Sequence, residues 1–177
     1  MGTDPEGAVP SMQFSQDEVK LIAGFILDDY EHERLTTLRV LESMPVGKED
    51  YTPDAKSMSA IRLAFHLVAS EWFLLKAVLR GTPPAVPFEM PDSIHTAQDV
   101  IAWANAKLPE RVEQVKLLSG EALSRQIVFE KNRKISGYEV LQLMTKHSIH
   151  HRGQLCAYLR PMGAPVPAIY GSSGDSN

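Results

Sequence analysis

The sequence predicts an all-α protein, a bundle of four long helices, and three observations carry that prediction. Apolar residues recur at helical spacing through four segments. Serine-led capping signals stand at the starts of the first and last of them, and no strand pattern is strong enough to build a sheet. At 177 residues with 44% hydrophobic content, the chain can bury one sizeable core and is short for two domains.

A Pro/Gly-rich leader over 1–14 precedes a single domain over 15–170, and a Gly/Ser tail follows over 171–177. The first helix opens on the capping box Ser15-Gln-Asp-Glu18 and runs to about Met44, before Pro45. Ile22, Phe25, Ile26, Leu35, Leu38 and Leu41 have the spacing of its buried face. The second helix spans about Met58 to Arg80 and stops at Gly81, a plausible C′ residue. Four prolines in "TPPAVPFEMPDS" then forbid a helix and favour an extended crossing long enough to return the chain to the other end of the molecule. The third helix begins near Thr96, with Asp99 placed to complete its cap, and reaches about Leu118, with Pro109 expected to kink or divide it. "IVFE" offers a short extended piece. Ser136 to Glu139 reads as a capping box for the fourth helix, which ends near Met162 and Gly163.

Charge and cysteine content narrow the function classes. A formal charge of −4 and scattered Lys and Arg give no basic footprint for nucleic acid. No apolar run approaches the roughly 20 residues that span a bilayer. The single Cys156 cannot form an internal disulfide, which fits a reducing compartment, and the N-terminal segment lacks the features of a signal peptide, so a cytoplasmic location is expected. Cys156 reads as a small buried hydrophobe. Gly-rich phosphate loops, CxxC pairs and the G-x-S-x-G motif do not occur.

The informative stretch is "KHSIHHRGQLCAYLR", Lys146 to Arg160, which holds three of the six histidines within five positions. At about 100° per residue, Val140, Met144, His147, His151, Leu155 and Tyr158 form one stripe on the fourth helix, with Gln142, Lys146, Gly153 and Arg160 on the far side. His150 falls on a flank. Imidazoles four positions apart can share one metal ion, and a buried imidazole without a partner costs about 1–3 kcal/mol. Ordinary hydrogen bonds to facing helices satisfy such a pair equally well, so spacing leaves both readings open. His66, midway along the second helix in "LAFHLVASEW", is the candidate third ligand, while His32 and His95 sit in solvated surroundings. The position after the first histidine, where H-E-x-x-H proteases carry their general base, is Ser148, which disfavours a protease of that type. Glu71 and Tyr158 are the candidate catalytic residues, although Glu71 is rotated by about 140° from His66. Gln154 and Tyr158 are placed to orient a ligand or a bound water. Arg152 and Arg160 face away from the stripe and read as surface or interface charges.

"MSAIRLAFHLVASEWFLL" together with "HSIHHRGQLCAYLRPMGAPVPAIYG" resembles the DinB family, the DinB/YfiT-like metalloenzymes, over nearly the whole chain. The resemblance implies a four-helix bundle in up-down-down-up order, in agreement with the long crossing between the second and third helices. It implies a divalent metal held by His66, His147 and His151, with zinc or nickel foremost and iron or manganese as alternatives, and it implies a homodimer. Relatives include thiol-dependent transferases and isomerases as well as hydrolases, so a low-molecular-weight thiol is one candidate partner. Two function classes therefore stand at the level of sequence. One is a metal-dependent enzyme on a small molecule, by thiol transfer or hydrolysis. The other is a non-catalytic, stress-associated helical dimer with a structural or vestigial metal site.

Overall fold

In the computed structural model, which describes residues 13–85, 89–129 and 132–175, the chain forms five helices and one short hairpin. Four helices are long: α1 Gln16–Glu42, α2 Ala60–Arg80, α3 Ala97–Lys116 and α5 Gly137–Leu159. Helix α4, Gly120–Ser124, is a single turn. Strands β1 Gln126–Val128 and β2 Lys134–Ser136 pair antiparallel just before α5.

Helix starts follow the expected chemistry. The Ser15 amide and hydroxyl both donate to the Glu18 carboxylate, at 2.7 and 2.8 Å, and the Glu18 amide donates back to the Ser15 hydroxyl. Thr96 and Asp99 repeat the arrangement on α3, and the Glu139 carboxylate takes the Ser136 amide and hydroxyl on α5. Helix α2 ends at Gly81, whose φ of 73° is the left-handed conformation that glycine adopts without a Cβ clash.

The long helices pack in a ring. Helices α1 and α2 each lie chiefly against α3 and α5, which places α1 and α2 on one diagonal. Helix α5 thus has two covered sides, one against α1 and one against α2, and that decides the fate of its polar residues. The connector from α1 to α2 is held by backbone bonds from Ala60 to Tyr51 and from Ile61 to Glu49, which fix the entry of α2. At Gly120 a Cβ would stand 2.1 Å from the Gln16 carbonyl oxygen, so only glycine lets α4 pass this close to the start of α1.

Three expectations are corrected. Phe25 and Leu35, assigned to the buried face of the first helix, are 77% and 57% exposed. The core side of α1 is instead Val19, Ala23, Leu27, Tyr30, Thr37, Val40 and Leu41, where the Tyr30 hydroxyl is accepted because it donates to the buried Glu71 carboxylate. Of the two outcomes expected at Pro109, a kink or a division, the division does not occur, since α3 runs through it; the residue is exposed, so its missing N–H falls on the solvent side. A two-stranded hairpin exists where no sheet was expected, with Ile127 fully buried beneath it. Pro87, in the proline-rich crossing, and the leader over 1–12 lie outside the described residues.

Candidate metal centre

Each histidine of the site owes its place to the packing of α5 on α2. On α5, Val140, Met144, Leu155 and Tyr158 are buried, and they anchor the stripe that also carries His147 and His151. On α2, Phe65 and Leu67 flank His66 and are themselves buried. The three imidazoles are half-buried, set between a sealed core and solvent. A nitrogen of each lies within 4.8 Å of a nitrogen of the others. Ring centroids stand 5.3 Å apart for His66 and His147, 4.6 Å for His66 and His151, and 4.2 Å for His147 and His151.

The tightest approach is between His147 Nε2 and His151 Nε2, at 3.0 Å. Two imidazole nitrogens bound about 2.1 Å from one ion stand roughly 3.0–3.4 Å apart, depending on the angle between them. The pair is therefore already at ligating separation.

Protonation suits the same role. Burial pushes the His147 imidazole down to about 4, with the neighbouring His151, His66 and His150 adding to the fall. Burial also lowers His66, helped by His151. His151 is lowered by burial and by His150, against the opposing hydrogen bond to Gln154. All three rings are neutral near pH 7, the form in which an imidazole ligates a metal. His150 is exposed on the flank, and His32 and His95 are exposed and remote from the cluster on the chain, as the sequence indicates.

The candidate catalytic residues are engaged with protein partners. Glu71 is 1% exposed, its two carboxylate oxygens accepting from the Tyr30 hydroxyl, at 2.8 Å, and the Ser148 hydroxyl, at 2.5 Å. The group ties α1, α2 and α5 together directly behind His147, since Ser148 is the next residue. The Tyr158 hydroxyl donates to the Met58 carbonyl at 3.2 Å, and its ring meets Tyr51 edge to face. Gln154 accepts from or donates to two rings, its Oε1 lying 2.7 Å from His151 Nδ1 and its Nε2 lying 3.1 Å from His150 Nε2.

Arg152 requires a correction. Expected as a surface or interface charge, it is 2% exposed within the chain itself, and its guanidinium pairs with the Glu33 carboxylate and donates to the Glu33 carbonyl and the Tyr170 hydroxyl. A wheel drawn for α5 alone misses this, because the side opposite the histidine stripe is covered by α1 and by the C-terminal segment. Arg160, by contrast, is exposed and pairs with Asp175. Cys156 is half-buried, and burial raises its thiol, so it is not an activated nucleophile.

Comparison with known proteins agrees with this picture. The model of the DinB family matches residues 20–175. The chain belongs to the DinB family. Among DinB relatives, the Bacillus subtilis (strain 168) protein YjoA, described as uncharacterized, is 30% identical over 140 residues, covering 78% of this chain and 89% of its own. A second uncharacterized protein of the same organism, YrdA, is 23% identical over 159 residues, covering 82% and 86%. The crystal structure of the DinB-like YjoA superposes with a TM-score of 0.67 at 27% identity, over 84% of this chain and 99% of that one. A DinB-like protein from Bacillus cereus ATCC 10987 gives 0.65 at 21% identity, over 82% and 95%, a likeness of fold. Among the described residues, no helix is long and apolar enough to cross a membrane.

The buried carboxyl at Glu71 has a consequence for pH. Burial, outweighing its hydrogen bonds, raises Glu71 to about 7 from an ordinary 4.5. The folded state then holds the proton more tightly than the unfolded state, so the stability this contributes is complete below pH 4.5 and is lost as pH rises through 7. The loss amounts to on the order of 3 kcal/mol. The histidines act in the opposite sense, since their lowered values make the folded state shed protons and gain stability as pH rises from 4 toward 6.5. Subtracting the stability of Glu71→Gln from that of the parent cancels the histidines. In metal-free protein, that difference from urea unfolding is expected to fall by 2–3 kcal/mol, roughly, between pH 4.5 and 8; a flat difference would show that Glu71 ionises freely.

Proposed function

We propose that His66, His147 and His151 hold one divalent metal ion, zinc or nickel before iron or manganese, and that this DinB protein is a metal-dependent enzyme acting on a small molecule by thiol transfer or hydrolysis. The observation that carries the reading is the convergence of three neutral imidazoles from two helices, with nitrogens within 4.8 Å of one another. The donor set fits such an ion. Imidazole suits these borderline metals, and three protein ligands leave positions for other groups. His147 and His151 offer two nitrogens at ligating distance, and His66 makes no hydrogen bond to any described residue that would have to be broken first.

An ion held there supplies positive charge that stabilises negative charge developing on a substrate oxygen or sulfur. The surrounding residues shape the reaction through position. Glu71, shared between Tyr30 and Ser148, fixes the turn of α5 that carries His147. Tyr158, bound to the Met58 carbonyl, fixes the start of α2 against α5 below the site. A low-molecular-weight thiol or a water is the proposed co-reactant.

One observation favours the alternative of a non-catalytic helical dimer with a structural metal. Glu71 and Tyr158, the residues best suited by type to proton transfer, spend their polar atoms on protein partners. Assays separate the readings. Protein loaded with zinc or nickel is expected to conjugate a small thiol to an electrophile or to hydrolyse activated esters or amides, with turnover falling to background after chelation and in His147→Ala. Full activity in chelated protein, or none in loaded protein across these substrates, would remove the enzyme reading.

A further inference from the structure

Around the site runs a chain of hydrogen bonds with a direction. His147 Nε2 lies 3.0 Å from His151 Nε2, His151 Nδ1 lies 2.7 Å from Gln154 Oε1, and Gln154 Nε2 lies 3.1 Å from His150 Nε2. Gln154 Oε1 can only accept, so His151 carries its proton on Nδ1. In a neutral ring that leaves Nε2 of His151 as an acceptor, and the proton between the two Nε2 atoms then belongs to His147. At the other end, the Gln154 amide nitrogen can only donate, so His150 accepts at Nε2 and is protonated on Nδ1. With the Gln154 amide in this orientation, one set of tautomers satisfies every bond. The reverse amide orientation, with the opposite tautomers of His150 and His147, would put the His151 proton on Nε2, the atom that faces His147, and only the first orientation leaves that atom free to ligate.

We infer that Gln154, accepting from Nδ1–H of His151, is a positioning residue that presets His151 with its Nε2 lone pair free for a metal, so that only His147 has to move its proton when the ion binds. The inference rests on the three-histidine metal site proposed above and adds to it a residue that touches no ion itself. His151 is the one ligand of the three whose remote nitrogen is held by a side chain among the described residues, so the preorganisation it gains is specific to that ring. Gln154 is exposed, and its replacement leaves no cavity in the core. Partners that orient a ligating histidine commonly contribute 10–100-fold to metal affinity.

The test uses Gln154→Leu, which keeps the size and removes the amide, and Gln154→Glu, which keeps an acceptor for His151 Nδ1–H. Zinc affinity is measured by competition with a chromophoric chelator, and histidine tautomers are read from two-bond 1H–15N NMR correlations with and without zinc. Expected are His151 as the Nδ1–H form in the parent in both states and His147 passing from Nε2–H to Nδ1–H on zinc addition. Gln154→Leu is expected to weaken zinc binding by about 10–100-fold and to give His151 a mixture of tautomers, with Gln154→Glu restoring the Nδ1–H form and most of the affinity. Unchanged affinity and an unchanged His151 tautomer in Gln154→Leu would overturn the inference, as would a parent His151 protonated on Nε2. Absence of zinc binding by the parent would strike the metal site itself, while the tautomers of the metal-free parent and Gln154→Leu would still decide the part assigned to Gln154.

Discussion

Replacing Arg152 by Leu is expected to cost about 3 kcal/mol of folding stability. The guanidinium is 2% exposed, and the Glu33 side chain that faces it is only 13% exposed. Both were largely desolvated when the helices packed, so removing the cation leaves a carboxylate with little water and only the Tyr170 hydroxyl as a donor. The same substitution deprives the Glu33 carbonyl and the Tyr170 hydroxyl of their donor, and with them a tie between α5, α1 and the C-terminal segment. Partial solvation of Glu33 and Tyr170 places the cost at the lower end of the range for a broken buried pair. For a chain of this length the melting temperature should fall by roughly 6–12 °C. The double variant Arg152→Leu with Glu33→Gln should recover part of the loss, because it removes the stranded charge. A drop below about 1 kcal/mol in urea unfolding would mean that water reaches the pair and that the ion bridge is an ordinary surface contact.

Replacing His147 by Ala is expected to have the opposite profile, with a large effect on metal and a small one on the fold. Its nitrogen is the one closest to a second ligand, and its imidazole is the most strongly biased toward the neutral form. Residues that merely orient a ligand contribute 10–100-fold, so loss of a ligand should weaken binding by at least ~100-fold. The metal-free variant should fold as well as the parent and resist acid better, because it lacks a half-buried ring that must charge as the chain unfolds below pH 6.5. Zinc titration with thermal unfolding at pH 5 and pH 7.5 reads both effects. Retained affinity would place the ion elsewhere.

How far the sequence reveals this molecule depends on whether a feature belongs to one helix or to the contact of two. Capping boxes at Ser15, Thr96 and Ser136 are local, and they stand where the spacing of Ser or Thr and the acid three residues later puts them. The stripe that aligns His147 with His151 is a property of one helix and survives folding for the same reason. His66 joins it through helix packing, which residue type and position could suggest but periodicity could not fix. Arg152, Phe25 and Leu35 show the limit. A helix wheel supposes one wet side, yet α5 is covered on two, and α1 gives its inner face to Ala23, Tyr30 and Thr37 rather than to its largest apolar residues. The partners that make those choices favourable, Glu33 and Tyr170 for Arg152 and Glu71 for Tyr30, lie 18 to 119 residues away in the chain. Gln154 was visible as a neighbour of the stripe, but its link to His150 appears only once side chains have directions.

The most direct measurement is a crystal structure of the protein grown with zinc or nickel, with diffraction collected on both sides of the absorption edge of the metal. The account predicts a single anomalous peak about 2.0–2.2 Å from one nitrogen each of His66, His147 and His151. A peak at other residues, or rings that stay bonded only to protein groups at saturating metal, would contradict it.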